Sequence, residues 1–106
     1  MVAGGSDAPV APDDPLAGIY GAVARRAESG QVLCPEETIG VEEALALYTT
    51  AAAYAEHAGG SKGRLAPGML ADMVLFNEDP RKIATERPDG IRALMTIIDG
   101  RLEWED

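Results

Sequence analysis

The stretch from Gly63 to Phe76, GRLAPGMLADMVLF, constrains the chain most, because it joins a turn, an isolated carboxylate and an unbroken apolar run. Pro67-Gly68 is a turn dipeptide: Pro presets φ at the second turn position and Gly accepts φ > 0 at the third, as a type II turn requires. Ala71 to Phe76 reads as a strand. Asn77-Glu78-Asp79-Pro80 closes it, since Pro80 cannot donate to a ladder and pushes Asp79 out of the helical region. Met73, Val74, Leu75 and Phe76 run without polar alternation, which predicts a strand covered on both faces. Asp72 is the one charge beside the run, and its residue type suits a carboxylate accepting hydrogen bonds from nearby backbone N–H groups rather than a catalytic group.

A chain of 106 residues makes one modest domain at most. Its apolar fraction of 46% leans on Ala, and aromatics are only 5%. Small side chains bury little area, at roughly 25 cal/mol per Å², so a free-standing core would be thin. The net charge of −9 argues against nucleic acid and anionic membranes as partners, both of which call for Lys and Arg. The single cysteine, Cys34, allows no internal disulfide and fits a reducing, cytoplasmic setting. Met1 to Val10 lacks the basic start and long apolar core of a signal peptide.

Val2 to Val10 reads as the end of a short strand entering a tight turn, with Gly4-Gly5 allowing close backbone approach. Asp14 is a candidate N-cap with Pro15 at N1. The 3.6-residue spacing of Leu16, Ile19, Tyr20, Val23 and Ala27 predicts a helix over 15–28, with Arg25 and Arg26 in its last turns. Pro35 argues against a helix through the connection that follows.

A second helix is predicted over 41–57, burying Val41, Ala44, Leu45, Tyr48, Ala52 and Ala55. Gly40 is its N-cap, with Glu43 completing a capping box that lacks a hydroxyl. Thr49 and Thr50 fall mid-helix and call for back-bonding to a carbonyl one turn earlier. Gly59-Gly60-Ser61 marks a hinge and the best internal boundary. A polar, Pro-interrupted connection with room for a helical turn runs over 81–90. Leu94 to Ile98 reads as a strand, and Asp99-Gly100 as a type I′ hairpin turn into a partner strand with Leu102 and Trp104 on one face.

Residue chemistry alone offers little. The only histidine, His57, suits a helix C-terminus better than a metal site, and Cys34 suits a small buried hydrophobe. There is no His-x-His, cysteine pair, P-loop or G-x-G-x-x-G. Asp13-Asp14, Glu36-Glu37 and Glu42-Glu43 are sequence neighbours whose side chains diverge, which suits solvated surface or capping.

A resemblance adds what composition cannot. The pattern G-x-L-x-P-G-x-x-A-D-x-V across Gly63 to Phe76, followed by Asp79-Pro80, resembles the C-terminal segment of the metal-dependent amidohydrolase superfamily, part of a small β-domain beside a β/α-barrel. Gly5-Ser6-Asp7-Ala8-Pro9-Val10, Asp14-Pro15-Leu16 and Ala22-Val23-Ala24-Arg25 are similar to the eighth-strand region of its amidohydrolase-3 branch, whose members are N-acyl-amino-acid amidohydrolase-like. Glu43-Ala44-Leu45, Tyr48-Thr49 and Ala52-Ala53-Tyr54 resemble the helix that follows, and Thr96 to Arg101 the closing β-domain.

The resemblance covers nearly the whole chain but only the last fifth or so of the family. It implies an α+β chain: residues 1–60 a remnant of the last barrel strand and its helices, 61–106 a β-domain segment ending in a hairpin. It implies that Asp7, at the end of a barrel strand, is the catalytic carboxylate that handles the proton of the attacking water. The family's metal ligands come from earlier strands, so the chain carries no cofactor itself, and a divalent metal such as zinc belongs to a complete parent. The expected function is that of a C-terminal fragment, inactive alone, of an enzyme that hydrolyses an amide bond of a small molecule. The alternative is a non-catalytic module that packs on a second copy, a homo-oligomer, through its uncovered helix faces.

Overall fold

The computed structural model describes residues 1–84 and 87–106, and it is an α+β chain. Thr85 and Glu86, inside the stretch read as a polar connection, lie outside the described residues. Three helices, α1 (Pro15–Ala24), α2 (Val41–Tyr48) and α3 (Thr50–Ala55), precede three strands, β1 (Met73–Phe76), β2 (Ala93–Ile98) and β3 (Arg101–Glu105). The strands form one antiparallel sheet in the order β1-β2-β3.

Asp14 caps α1, accepting the Leu16 N–H at 2.9 Å, with Pro15 in the first turn. The helix is shorter than its apolar spacing predicts. Arg25 takes a left-handed φ of 50°, and its N–H bonds the Gly21 carbonyl. The chain then folds into a small antiparallel turn in which Arg26 pairs with Val32. Arg26 donates to the Gly30 carbonyl at 2.9 Å and Arg25 to Leu33 at 3.1 Å. These arginines therefore serve the turn carbonyls rather than the end of a longer helix.

The second predicted helix is broken in two. Gly40 donates to the Glu43 carboxylate at 3.1 Å, so the capping box is half made, as its missing hydroxyl requires. At Thr49 the backbone turns to φ −121°, ψ −90°, and the Thr49 hydroxyl donates to the Leu45 carbonyl at 2.9 Å. The break changes the helical phase. Ala51 and Ala53 are buried in α3, whereas Ala55 is exposed.

The helical core comprises Leu16, Ile19, Ala44 and Ile83. Ile83 comes from the short 3-10 turn Pro80–Ala84 and is the largest fully buried side chain, at 1% exposure. By composition this stretch is a polar connection. One isoleucine between Lys82 and Ala84 carries no periodicity that could mark it as core.

The turns match their residues closely. Met69 donates to the Ala66 carbonyl at 3.1 Å across Pro67-Gly68, with Gly68 at φ +86°. Asp99 and Gly100 both take positive φ, 51° and 75°, between the paired Ile98 and Arg101. Two sheet expectations fail. Val74 and Leu75 are 46% and 51% exposed, because β1 is an edge strand and the helical core takes up only Phe76 of it. Leu102 and Trp104 do not share a face. Ile97 pairs with Leu102 but Thr96 pairs with Trp104, so a bulge adds one residue to β3 and turns Trp104 to the opposite face.

Candidate functional site

Asp7 opens a tight turn: its carbonyl accepts the Val10 N–H at 2.9 Å, and its own φ is +53°. The carboxylate is exposed, and a shallow hollow of about 410 Å³ begins at the next residue, lined by Ala8 to Asp13. Residues 1–6 make no strand among the described residues. Their segment is tied to the helices by one backbone bond, from Gly4 N–H to the Leu47 carbonyl at 2.9 Å. Tyr48 packs against that anchor. A Cβ on Gly4 would stand 2.8 Å from both Cε2 and Cζ of the Tyr48 ring.

The other chemistry-bearing residues lie apart from this turn. Cys34 is exposed, correcting its reading as a buried hydrophobe, and its φ of 46° places it just before the turn Pro35–Glu37. His57 follows α3 with φ 63° and lines a separate hollow of about 560 Å³ with Met1, Thr50, Tyr54 and Gly60. Asp72 does structural work, its carboxylate accepting the Asp99 N–H at 2.8 Å. The acidic pairs are likewise local: Asp14 and Glu43 cap helices.

A cavity of about 740 Å³ runs between the helices and the sheet. Leu16, Ile19 and Leu45 form one wall, Met73, Val74 and Ile97 the other, with Lys62, Arg64 and Asp72 at its edge. Glu56 pairs with Lys62 and holds its ammonium above its ordinary pKa. Most of the lining is apolar, and Asp72 lies near enough to Lys62 to favour its charged form.

Among the described residues no three His, Cys, Asp or Glu side chains gather where they could hold a metal ion. The residues present therefore do not fit a catalytic metal, which needs about three protein ligands. No described helix is long and apolar enough to cross a membrane.

Residue chemistry alone does not single out Asp7, since a lone carboxylate before Ala-Pro reads as an ordinary turn former. Tyr48 was read only as one of a buried face. No sequence pattern ties it to Gly4, because the contact joins segments far apart in the chain.

Comparison with known proteins supplies the context. A family profile described as "Amidohydrolase family" matches residues 1–102. The chain is 35% identical over 108 residues to "Putative amidohydrolase YtcJ" of Bacillus subtilis (strain 168), an alignment covering 99% of this chain and 20% of that protein. It is 33% identical over 100 residues to "N-substituted formamide deformylase" of Arthrobacter pascens, covering 94% of this chain and 18% of that protein. The chain thus spans about a fifth of the length of these curated relatives. No solved structure matches it significantly. With the family profile running across nearly every residue, from the Asp7 turn to β3, the chain belongs to the amidohydrolase family.

Proposed function

We propose that this chain is the C-terminal part of a metal-dependent hydrolase that cleaves a C–N bond in a small N-acyl compound, with Asp7 as the general base. The observation that carries the reading is the family match over residues 1–102, which includes the Asp7 turn. One relative is named as acting on N-substituted formamides, which makes a formamide or similar amide the substrate class to test first.

In this reading residues 1–60 close a barrel and residues 61–106 belong to a flanking β-domain. The metal, a divalent ion such as zinc, is held by residues from outside this chain. Asp7 accepts a proton as water oxygen adds to the amide carbonyl carbon. The proton then passes to the departing nitrogen as the C–N bond breaks, leaving a carboxylic acid and an amine, which exchange a proton to become carboxylate and ammonium. The exposure of the Asp7 carboxylate supports the role, since a base must reach solvent water. The setting is cytoplasmic, in keeping with the single thiol.

The test is a chimera in which this chain replaces the matched segment of the Arthrobacter pascens deformylase, assayed on an N-substituted formamide. Asp7→Asn should lower kcat by about 10²–10⁴-fold, the usual worth of a positioned base. An Asp7→Asn chimera as active as its parent would remove Asp7 from the mechanism. Turnover by the chain alone would refute its being an incomplete enzyme.

A second reading has an observation of its own. Val74, Ile98 and Trp104, on one face of the three-stranded sheet, are each about half exposed. Such a surface suits a non-catalytic module that associates with a second copy or with another protein. Sedimentation equilibrium separates the two: a chain monomeric at high micromolar concentration rules out self-association.

A further inference from the structure

We propose that Tyr48 is a positioning residue, its ring wedged between Gly4 and Gly18 so as to set where the Asp7 turn stands relative to α1 and α2. The inference rests on the reading of Asp7 as the general base. It goes further by naming what holds that base in place.

The segment before α1 is fixed at two points. Gly4 bonds the Leu47 carbonyl at the end of α2, and Asp14 caps α1. Asp7 and its turn lie between them. Tyr48 touches the structure at both ends. A Cβ on Gly4 would be 2.8 Å from the ring atoms Cε2 and Cζ, so bare backbone rests on the ring. A Cβ on Gly18, in the first half of α1, would collide with the Tyr48 hydroxyl oxygen and stand 3.0 Å from Cζ.

A Cβ at either position would thus displace the same side chain, a matter of space rather than of φ. Neither residue has the positive φ that marks the turn glycines of this chain. Gly5, next to Gly4, has nothing within 4 Å of its Cβ position, so crowding is confined to the anchor. A rigid aromatic ring between two backbones sets their separation with little freedom. A base three residues from one of those backbones inherits that placement. Misplacing a catalytic group by about 1 Å can cost about 10²-fold in rate.

The first readout uses the chain itself. In Tyr48→Ala the backbone and side-chain carboxyl resonances of Asp7 should move, and in Tyr48→Phe, which keeps the ring, they should stay near their original positions. Unmoved Asp7 resonances in a folded Tyr48→Ala chain would overturn the proposal. Should Tyr48→Ala fail to fold, Gly4→Ala forces the segment off the ring and is read in the same way.

The second readout uses the deformylase chimera. Tyr48→Ala should lower kcat about tenfold or more while leaving KM within about twofold, and Tyr48→Phe should restore most of kcat. Loss in KM alone, or no loss at all, would overturn the proposal. The Asp7→Asn chimera keeps the two ideas separable. If it is inactive while Tyr48→Ala is fully active, Asp7 is the base and Tyr48 does not position it. If it is fully active, the reading of Asp7 fails and this inference falls with it.

Discussion

The carboxylate of Asp72 accepts the backbone N–H of Asp99 at 2.8 Å, joining the residue before β1 to the turn between β2 and β3. The neighbouring Gly100 N–H bonds the Ala71 carbonyl at 3.1 Å, so the hairpin turn is held by two consecutive residues. A charged acceptor for a backbone donor contributes more than a neutral one. Asp72→Ala should destabilise the chain by about 1–2 kcal/mol in urea unfolding. It should also raise amide exchange at Asp99 selectively. An unchanged Asp99 exchange rate would show that the bond does not hold the turn.

Ile83→Ala should be the most damaging single truncation. The side chain is 1% exposed and completes the cluster of Leu16, Ile19 and Ala44. Removing a buried isoleucine to Cβ costs about 2–5 kcal/mol through lost transfer energy and the cavity left behind. Urea titration should show this loss, whereas Ile98→Ala, at a residue 51% exposed, should cost much less.

Gly63→Ala and Gly68→Ala separate backbone strain from crowding. Both glycines have positive φ, +96° and +86°. A Cβ on Gly68 meets nothing within 4 Å, whereas one on Gly63 would stand 2.7 Å from the Ala53 Cβ and 3.1 Å from the Thr49 carbonyl oxygen. Gly68→Ala should cost about 1–2 kcal/mol, the left-handed penalty alone. Gly63→Ala should add about 1–3 kcal/mol for overpacking against α3. Equal melting temperatures for the two variants would contradict that difference.

Asp79 should titrate unusually low. The Arg81 guanidinium bonds both of its carboxylate oxygens, and the Arg81 N–H bonds one of them, holding its pKa at about 2 against the ordinary 3.8. A depressed carboxylate pKa contributes stability that is fully present above the ordinary value and is lost as pH falls from about 4 to about 2. The pair is exposed, so the stability effect is small and salt-sensitive. NMR titration of Asp79 should give a midpoint near 2, rising toward 3.8 in Arg81→Ala.

Much of the fold is written in short-range chemistry. Pro67-Gly68, Asp99-Gly100, the Asp14 cap and the Thr49 back-bond all depend on residues within a few positions of each other, and each forms as its residue types require. What sequence reading misses is how neighbouring segments settle against each other. α1 stops at Ala24 because Arg26 pairs with Val32, a contact its apolar spacing does not encode. The helix over Val41 to His57 divides because Thr49 leaves helical angles, although its neighbours keep a helical pattern. The β2–β3 bulge sends Trp104 to the face opposite Leu102, and no residue in Arg101 to Glu105 announces it. The candidate site was less legible still. The residues around Asp7 form an ordinary turn, and its proposed role as a base rests on likeness to the family rather than on anything in the turn itself.

The position of Ile83 bears on the order in which the molecule can be built. Leu16, Ile19 and Ala44 leave the ribosome long before it does, yet their cluster is closed only when it arrives. The contact that completes the cluster spans most of the chain. High sequence separation of this kind slows folding, since loop closure precedes the contacts that reward it. A variant cut before Pro80 would keep Phe76 against the cluster of Leu16, Ile19 and Ala44 but lose the side chain that completes it.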